Sequence, residues 1–385
     1  MTQIEGLNPF TPGTGQLPPY LAGRENEQGQ FRQILAKISA GRSPDADIVM
    51  YGPRGMGKTV LLNWLKNEVK EYGTTDNPIR TSSATPNQLK NPAEMWGFLL
   101  SDDWLKNLPP DKMEFGVKGF LSGTWTKKGA PNQALLKDLI SECKKNPLVF
   151  LLDEAHTMEP EQCLALLNLS QQVQNEAPFL LVLAGTPGLS HFLTTVGASF
   201  VERSKKMGIA RLDAQATADA IVKPLNEHGI KIDDNTLAPV VEDSQHYPYF
   251  IQLWGEALWD LAKEKELQKL TYQEVTAAKT RVESVRLGFY SSRRRRLKDD
   301  GLLKVAADCA AIFQDQSRFK EVDLEKAIKD ALPDNQSDER YESQVLRDLA
   351  RHEFIWNPPD TDLYEAGIPS LMRYVLDKQR EHIQN

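Results

Sequence analysis

Short apolar runs and longer amphipathic stretches alternate along the first half of the chain. Ile48–Tyr51 is a compact apolar run that leads into a glycine-rich turn. Beyond the turn, Leu61, Leu62, Leu65 and Val69 fall on one face of a helix. Leu148–Leu152 is continuously apolar, as a strand buried on both faces of a parallel sheet should be. "PFLLVLAGTP" at 178–187 predicts a further buried strand, and "IRTSSA" at 79–84 another. Between them the pattern predicts a helix near 93–100 and, from the glycine-punctuated "EFGVKGFLSGTWTKK" at 114–128, a hairpin. Strands alternating with helices predict an α/β class with a parallel sheet sandwiched by helices.

From about residue 213 the period becomes helical. Pro248 stands where a helix start tolerates its missing N–H, and Thr271 with Glu274 has the spacing of a capping box. Trp254 and Trp259 are expected in the core of this section. In the last hundred residues three apolar repeats predict three helices: Leu302, Leu303, Ala306, Ala310 and Phe313; Leu324, Ile328 and Leu332; Val345, Leu346 and Leu349. "EFIW" and "DLYEAG" then predict two strands joined by a loop. Three helices followed by a hairpin is the order of a winged helix-turn-helix. The expected division is an extended arm at 1–19, an α/β domain at 20–212, a helical domain at 213–288 and a winged-helix-like domain at 289–385.

The turn after Ile48–Tyr51 reads "GPRGMGKT", which satisfies G-x-x-x-x-G-K-[ST]. Gly52, Gly55 and Gly57 let the backbone curl its N–H groups around a phosphate at the positive end of the next helix. Gly52, Pro53, Arg54, Gly55, Met56, Gly57, Lys58, Thr59 and Val60 are therefore the candidate nucleotide-binding segment. Lys58 would reach the terminal phosphates and the Thr59 hydroxyl would ligate Mg²⁺. Asp153 follows the apolar strand at its carboxyl end, where ligands bind in open α/β sheets, and is the second candidate for Mg²⁺. Glu154 is the candidate to orient and activate the attacking water. His156 is read as an ordinary loop residue.

In that order along the chain, these motifs resemble the AAA+ ATPases, on the branch of replication-initiator-like proteins and the related STAND signalling ATPases. The resemblance spans about residues 20–383. It implies an ATP- and Mg²⁺-dependent enzyme that hydrolyses ATP, with an α-helical lid and a C-terminal winged helix. "YLAGRENE" matches the family segment that touches the adenine, which implies a role for Arg24. "LLVLAGTP" resembles the sensor-1 strand and implies that Thr186 approaches the γ-phosphate. "FVERSKKMGIARL" resembles the arginine-finger segment, implying Arg203 as the catalytic finger with Arg211 as second choice. The lid helix "HYPYFIQLWGEALW" lacks the sensor-2 arginine and is closer to the G-x-P motif of the STAND branch, with Tyr247 where glycine is usual. That departure leaves a backbone or Pro248 contact to the nucleotide. "LLDEAH" is shared with DEAH helicases, but their arginine-rich "QRxGR" segment is absent.

Composition narrows the partners. With 385 residues, 46 Lys+Arg against 53 Asp+Glu and a net charge of −7, the chain is not a generally basic nucleic-acid binder. A local patch at "SSRRRRLK", 291–298, leaves duplex DNA open. Three widely spaced cysteines, Cys143, Cys163 and Cys309, fit no metal pattern and suggest a reducing compartment. No apolar run approaches the ~20 residues of a membrane span, and the first residues lack the regions of a signal peptide. The expectation is a cytoplasmic homo-oligomer without membrane contact. It would act as an ATPase switch on DNA or a DNA-associated complex, or else bind a protein partner through its C-terminal unit.

Overall fold

The computed structural model describes residues 6–74, 78–90, 92–100, 133–299, 301–313, 318–332, 339–359 and 361–384. The chain folds into two compact units. One is Glu25–Tyr51 with Leu61–Met207; the other is Met1–Arg24, Gly52–Val60 and Gly208–Asn385. The hairpin expected at 114–128 lies outside the described residues.

The α/β unit is built on a sheet of five strands. These are β1 (Ile48–Tyr51), β2 (Arg80–Ala84), β3 (Leu148–Leu152), β4 (Phe179–Gly185) and β5 (Lys205–Gly208), in the order β2-β3-β4-β1-β5. β1 pairs with β4 in parallel, Ile48 against Val182 and Tyr51 against Gly185. β3 pairs with β4 and β2 pairs with β3 in the same sense, so the carboxyl ends of these strands share one edge of the sheet. Every residue of β3 and of β4 is buried, which is why both read as unbroken apolar runs. Helices α1 (Glu25–Ser39), α2 (Lys58–Tyr72), α3 (Pro92–Leu99), α4 (Gln133–Lys145), α5 (Pro160–Gln174) and α6 (Leu189–Arg203) accompany the sheet. Trp96, Phe150, Leu152, Leu166 and Phe179 form its fully buried centre.

Asp47, one residue before β1, is buried in this unit. Its Oδ2 accepts from Ser170 Oγ at 2.6 Å on α5, and its Oδ1 accepts from the Leu181 N–H at 2.8 Å on β4 and from Gln174 Nε2. The one side chain thus ties two strands to a helix. Burial pushes its carboxyl up from 3.8 to about 7, against the opposing pull of the three donors. The folded chain then holds a proton that the unfolded chain releases. This contribution to stability is complete below the unfolded value near 4 and is lost as pH rises through about 7. Between about pH 5 and about pH 8 the urea midpoint of the wild type should fall more steeply than that of Asp47→Asn, which cannot ionise. Parallel profiles for the two proteins would refute the assignment.

The second unit is largely helical beyond the glycine loop. α7 (Ala214–Glu227), α8 (Asp234–Ser244), α9 (Pro248–Glu264) and α10 (Tyr272–Asp299) come first in its C-terminal part. Asp213 and Asp233 cap α7 and α8 by accepting from the N–H groups of Ala216 and Thr236. Thr271 and Glu274 make the expected side-chain contact ahead of α10, Oγ1 to Oε2 at 2.6 Å. Trp254 and Trp259 are buried on α9. The arm at the N-terminus packs on the same helix, where the Phe10 ring fills the space a Cβ at Gly255 would take. Asn8 Nδ2 donates to Asp260, and Gln252 Oε1 accepts from the Thr11 N–H. α10 is one helix of 28 residues that runs through position 288 and through the arginine run.

After α10 come α11 (Leu303–Phe313), β6 (Phe319–Lys320), α12 (Glu321–Ala331), α13 (Glu339–Arg351), β7 (Ile355–Trp356), β8 (Leu363–Ala366) and α14 (Leu371–Gln384). β8 is central to a sheet of three strands, antiparallel to β6 and to β7. The two predicted strands are β7 and β8. β6, only two residues long, gave no sequence signal.

Candidate nucleotide site

The glycine loop belongs to the second unit together with the helices from α7 onward. Gly52, Gly55 and Gly57 all have positive φ, at 156°, 85° and 90°. A Cβ at Gly52 would lie 2.6 Å from the Ile209 carbonyl oxygen, so both conformation and space demand glycine there. At Gly57 a Cβ would meet nothing within 4 Å, so there the positive φ rather than space asks for glycine. The Lys58 ammonium folds back over the loop and donates to the carbonyls of Gly52 at 2.7 Å and Pro53 at 2.9 Å. A curled backbone with a buried ammonium across it suits a phosphate chain. Gly15 of the arm passes so close to Thr59 that a Cβ would meet Thr59 Cγ2 at 2.8 Å.

The loop is braced from several directions. Arg24 is buried, and its Nη2 donates to the carbonyls of Met56 at 3.0 Å and Ala210 at 2.7 Å. Pro248 opens α9, and the next N–H, of Tyr249, donates to the Gly55 carbonyl at 3.1 Å. Tyr247 Oη donates to the Arg54 carbonyl. Burial raises the Tyr247 phenol well above its usual range, which keeps it a donor. The position where the resemblance leads to an expectation of glycine therefore carries a hydroxyl fastened to the glycine loop. Glu353, from the turn after α13, accepts from the Arg54 N–H at 3.2 Å and from Arg54 Nη1 at 3.3 Å.

The acidic residues belong to the α/β unit. Asp153 follows β3, and its N–H donates to the Ala84 carbonyl at 3.1 Å. Its Oδ1 accepts from the Glu154 N–H at 2.8 Å. Glu154 itself has φ 52°, a left-handed conformation that a non-glycine residue adopts at a cost of about 1 kcal/mol or more. His156 is more than a bystander: its Nε2 is 3.4 Å from Glu154 Oε2 and its Nδ1 accepts from the Thr186 N–H at 3.4 Å. Thr186 is buried, and its Oγ1 has no hydrogen-bond partner among the described residues. A buried orphan hydroxyl suits a polar ligand atom. Each unit, taken by itself, carries residues that fit a nucleotide and its metal.

The two arginine candidates differ in setting. Arg203, at the end of α6, is exposed, and its Nε donates to the Ser199 carbonyl at 3.0 Å. Arg211 is engaged by its own chain: Nη2 donates to the Ala366 carbonyl at 2.8 Å, and Nε lies 3.8 Å from Glu365. Tyr247, His156 and Glu353 were not legible as site residues in the sequence. For Tyr247 a signal existed, since a tyrosine replacing the expected glycine marks an altered contact.

Residues 43–193 match the family model for an AAA domain. Among curated proteins, an uncharacterized HTH-type transcriptional regulator of Methanocaldococcus jannaschii is 24% identical over 282 residues, spanning 67% of this chain and 68% of that protein. Among solved structures, a Walker-type ATPase of Pyrococcus abyssi superposes with TM-score 0.62 at 15% identity, over 93% of this chain and 96% of its own. The Aeropyrum pernix ORC2 protein, in ADPNP-ADP complexes, superposes with TM-score 0.58 at 15% identity, over 97% of this chain and 99% of its own. Residues 43–193 thus match an AAA domain, and over nearly its whole length the chain has a fold similar to that of the Aeropyrum pernix ORC2 protein.

Proposed function

We propose that the chain is a Mg²⁺-dependent ATPase that works as an oligomeric switch on DNA or on a complex assembled at DNA. The glycine loop carries this reading, because its positive-φ turns and the Lys58 ammonium folded over them suit a phosphate chain. Lys58 would hold the terminal phosphates, and Thr59 and Asp153 are each candidates to ligate the metal. The bound Mg²⁺ supplies charge neutralisation on the phosphate oxygens. Glu154 accepts the proton of the attacking water, oriented by its backbone bond to Asp153 and by His156. Thr186 offers its orphan hydroxyl to the γ-phosphate side. Arg203, exposed at a helix end, completes a neighbouring subunit's site. Pro248 and Tyr249 keep the lid helix on the loop.

Three features support the DNA half of the reading. The M. jannaschii relative is described as an HTH-type transcriptional regulator. The order α11, α12, α13, then β7 and β8, is that of a winged helix. Arg295, Arg296 and Lys298 are exposed on α10. No helix among the described residues is long and apolar enough to cross a membrane. Binding of a labelled DNA duplex, read by fluorescence anisotropy, should weaken about 10³-fold between ~50 mM and ~200 mM salt if about six phosphates are contacted. No binding even at the low salt would remove DNA and leave a protein partner for the C-terminal unit.

A further inference from the structure

Glu353 is an unusual residue for its place. α13 ends in a Schellman motif, in which the Phe354 N–H bonds to the Leu349 carbonyl and the Glu353 N–H to the Ala350 carbonyl. That makes Glu353 the left-handed residue past the helix end, with φ 61°, where glycine is the usual occupant. It is also fully buried, at 0% exposure. Across from it, a Cβ at Gly367 would strike the Glu353 carbonyl oxygen at 2.2 Å, so the end of β8 is pressed against this turn. The chain accepts both backbone strain and a buried charge at one position.

The carboxylate is directed at the phosphate loop. Oε1 accepts from the backbone N–H and the guanidinium of Arg54. Oε2 has no hydrogen-bond donor among the described residues and stands 3.7 Å from Arg293 Nε. Arg293 is itself buried, with its guanidinium 4.7 Å over the Phe289 ring. A carboxylate with one satisfied oxygen and one merely near a cation is not arranged for maximal stability, since a buried ion pair repays its desolvation only with complete hydrogen bonding. The arrangement suits an anion that can be exchanged for another.

We propose that Glu353 is an internal anion latch on Arg54, competing with the nucleotide's phosphates for this end of the loop, so that phosphate binding releases the segment 353–366. This rests on the loop being a nucleotide site, as proposed above. Strand β8 holds Arg211 through the Ala366 carbonyl, so release of the segment would also free this arginine.

The test uses the full-length chain, Mg²⁺ and a fluorescent ATP analogue. Glu353→Gln keeps the size and the acceptor oxygen but removes the charge, and should bind the analogue about tenfold more tightly, because less of the protein is held in the competing state. In an Arg54→Gln background the same change should have a smaller effect, because the guanidinium contact is gone and the backbone N–H contact alone remains. In the wild type, saturating analogue should speed amide hydrogen exchange in residues 353–366, a readout that needs no variant to fold. Equal or weaker binding by Glu353→Gln, an undiminished gain in the Arg54→Gln background, or exchange that is unchanged or slowed would each overturn the latch while leaving the nucleotide site in place. Failure of wild type and Glu353→Gln alike to bind the analogue would overturn the nucleotide reading and the latch together.

Discussion

Arg203→Ala should bind Mg-ATP as the wild type does and lose about 10³–10⁵ of its turnover. The side chain is exposed at the end of α6, and the one hydrogen bond described for it goes to a carbonyl of its own helix. Nothing in that setting holds a fold together, so truncation should cost little stability. A guanidinium delivered across a subunit interface acts on the partner's nucleotide, where it stabilises charge only in the transition state. Mixing therefore separates this role from a structural one. Arg203→Ala has an intact phosphate loop and Lys58→Ala an intact finger, so co-assembled mixtures contain some interfaces with both. Turnover should partly return on mixing. If Arg203→Ala is active alone, the residue is a plain surface group in a basic run. If it is inactive and mixing restores nothing despite demonstrated co-assembly, it acts within its own subunit.

The sheet was largely legible because its central strands are buried on both faces. β3 and β4 contain no polar side chain at all, so a continuous apolar run sufficed to place them. β5 was not legible: its sequence is KKMG, with two exposed lysines and one buried methionine, and an edge strand of that kind has no period to read. β6 is held by its register against β8 rather than by its own two residues. The arginine run at 293–296 looked uniform in sequence, yet a helix of 3.6 residues per turn distributes it over several faces. Arg293 is consequently buried against Phe289 and Glu353, while Arg295 and Arg296 are exposed.

The candidate site was legible where its chemistry is contiguous. The loop from Gly52 to Thr59 and the pair Asp153–Glu154 each occupy a few adjacent residues, and steric demands on glycine make the first hard to mimic by chance. What escaped was supplied from far along the chain. Glu353 reaches Arg54 across 299 positions and Tyr247 reaches it across 193. A tyrosine at a helix start and a glutamate after a helix end are each ordinary alone. His156 was likewise undistinguished until the fold set it between Glu154 and the Thr186 N–H.

Lys58→Ala should abolish nucleotide binding, and with it hydrolysis, while leaving the fold standing. The ammonium is buried, and it donates to two carbonyls of its own loop, of Gly52 and Pro53. Its loss takes that donor from those carbonyls and removes the charge that would face the phosphates. The decisive measurement is the thermal melt of both proteins by circular dichroism, with and without Mg-ATP. For the wild type, ligand at about 100 times its Kd should add about 2.7 kcal/mol of stability and raise the melting temperature by several degrees. Lys58→Ala should melt within a few degrees of the ligand-free wild type and show no shift with Mg-ATP. An equal shift in both proteins, or none in the wild type, would contradict the assignment of this loop as the nucleotide's phosphate site.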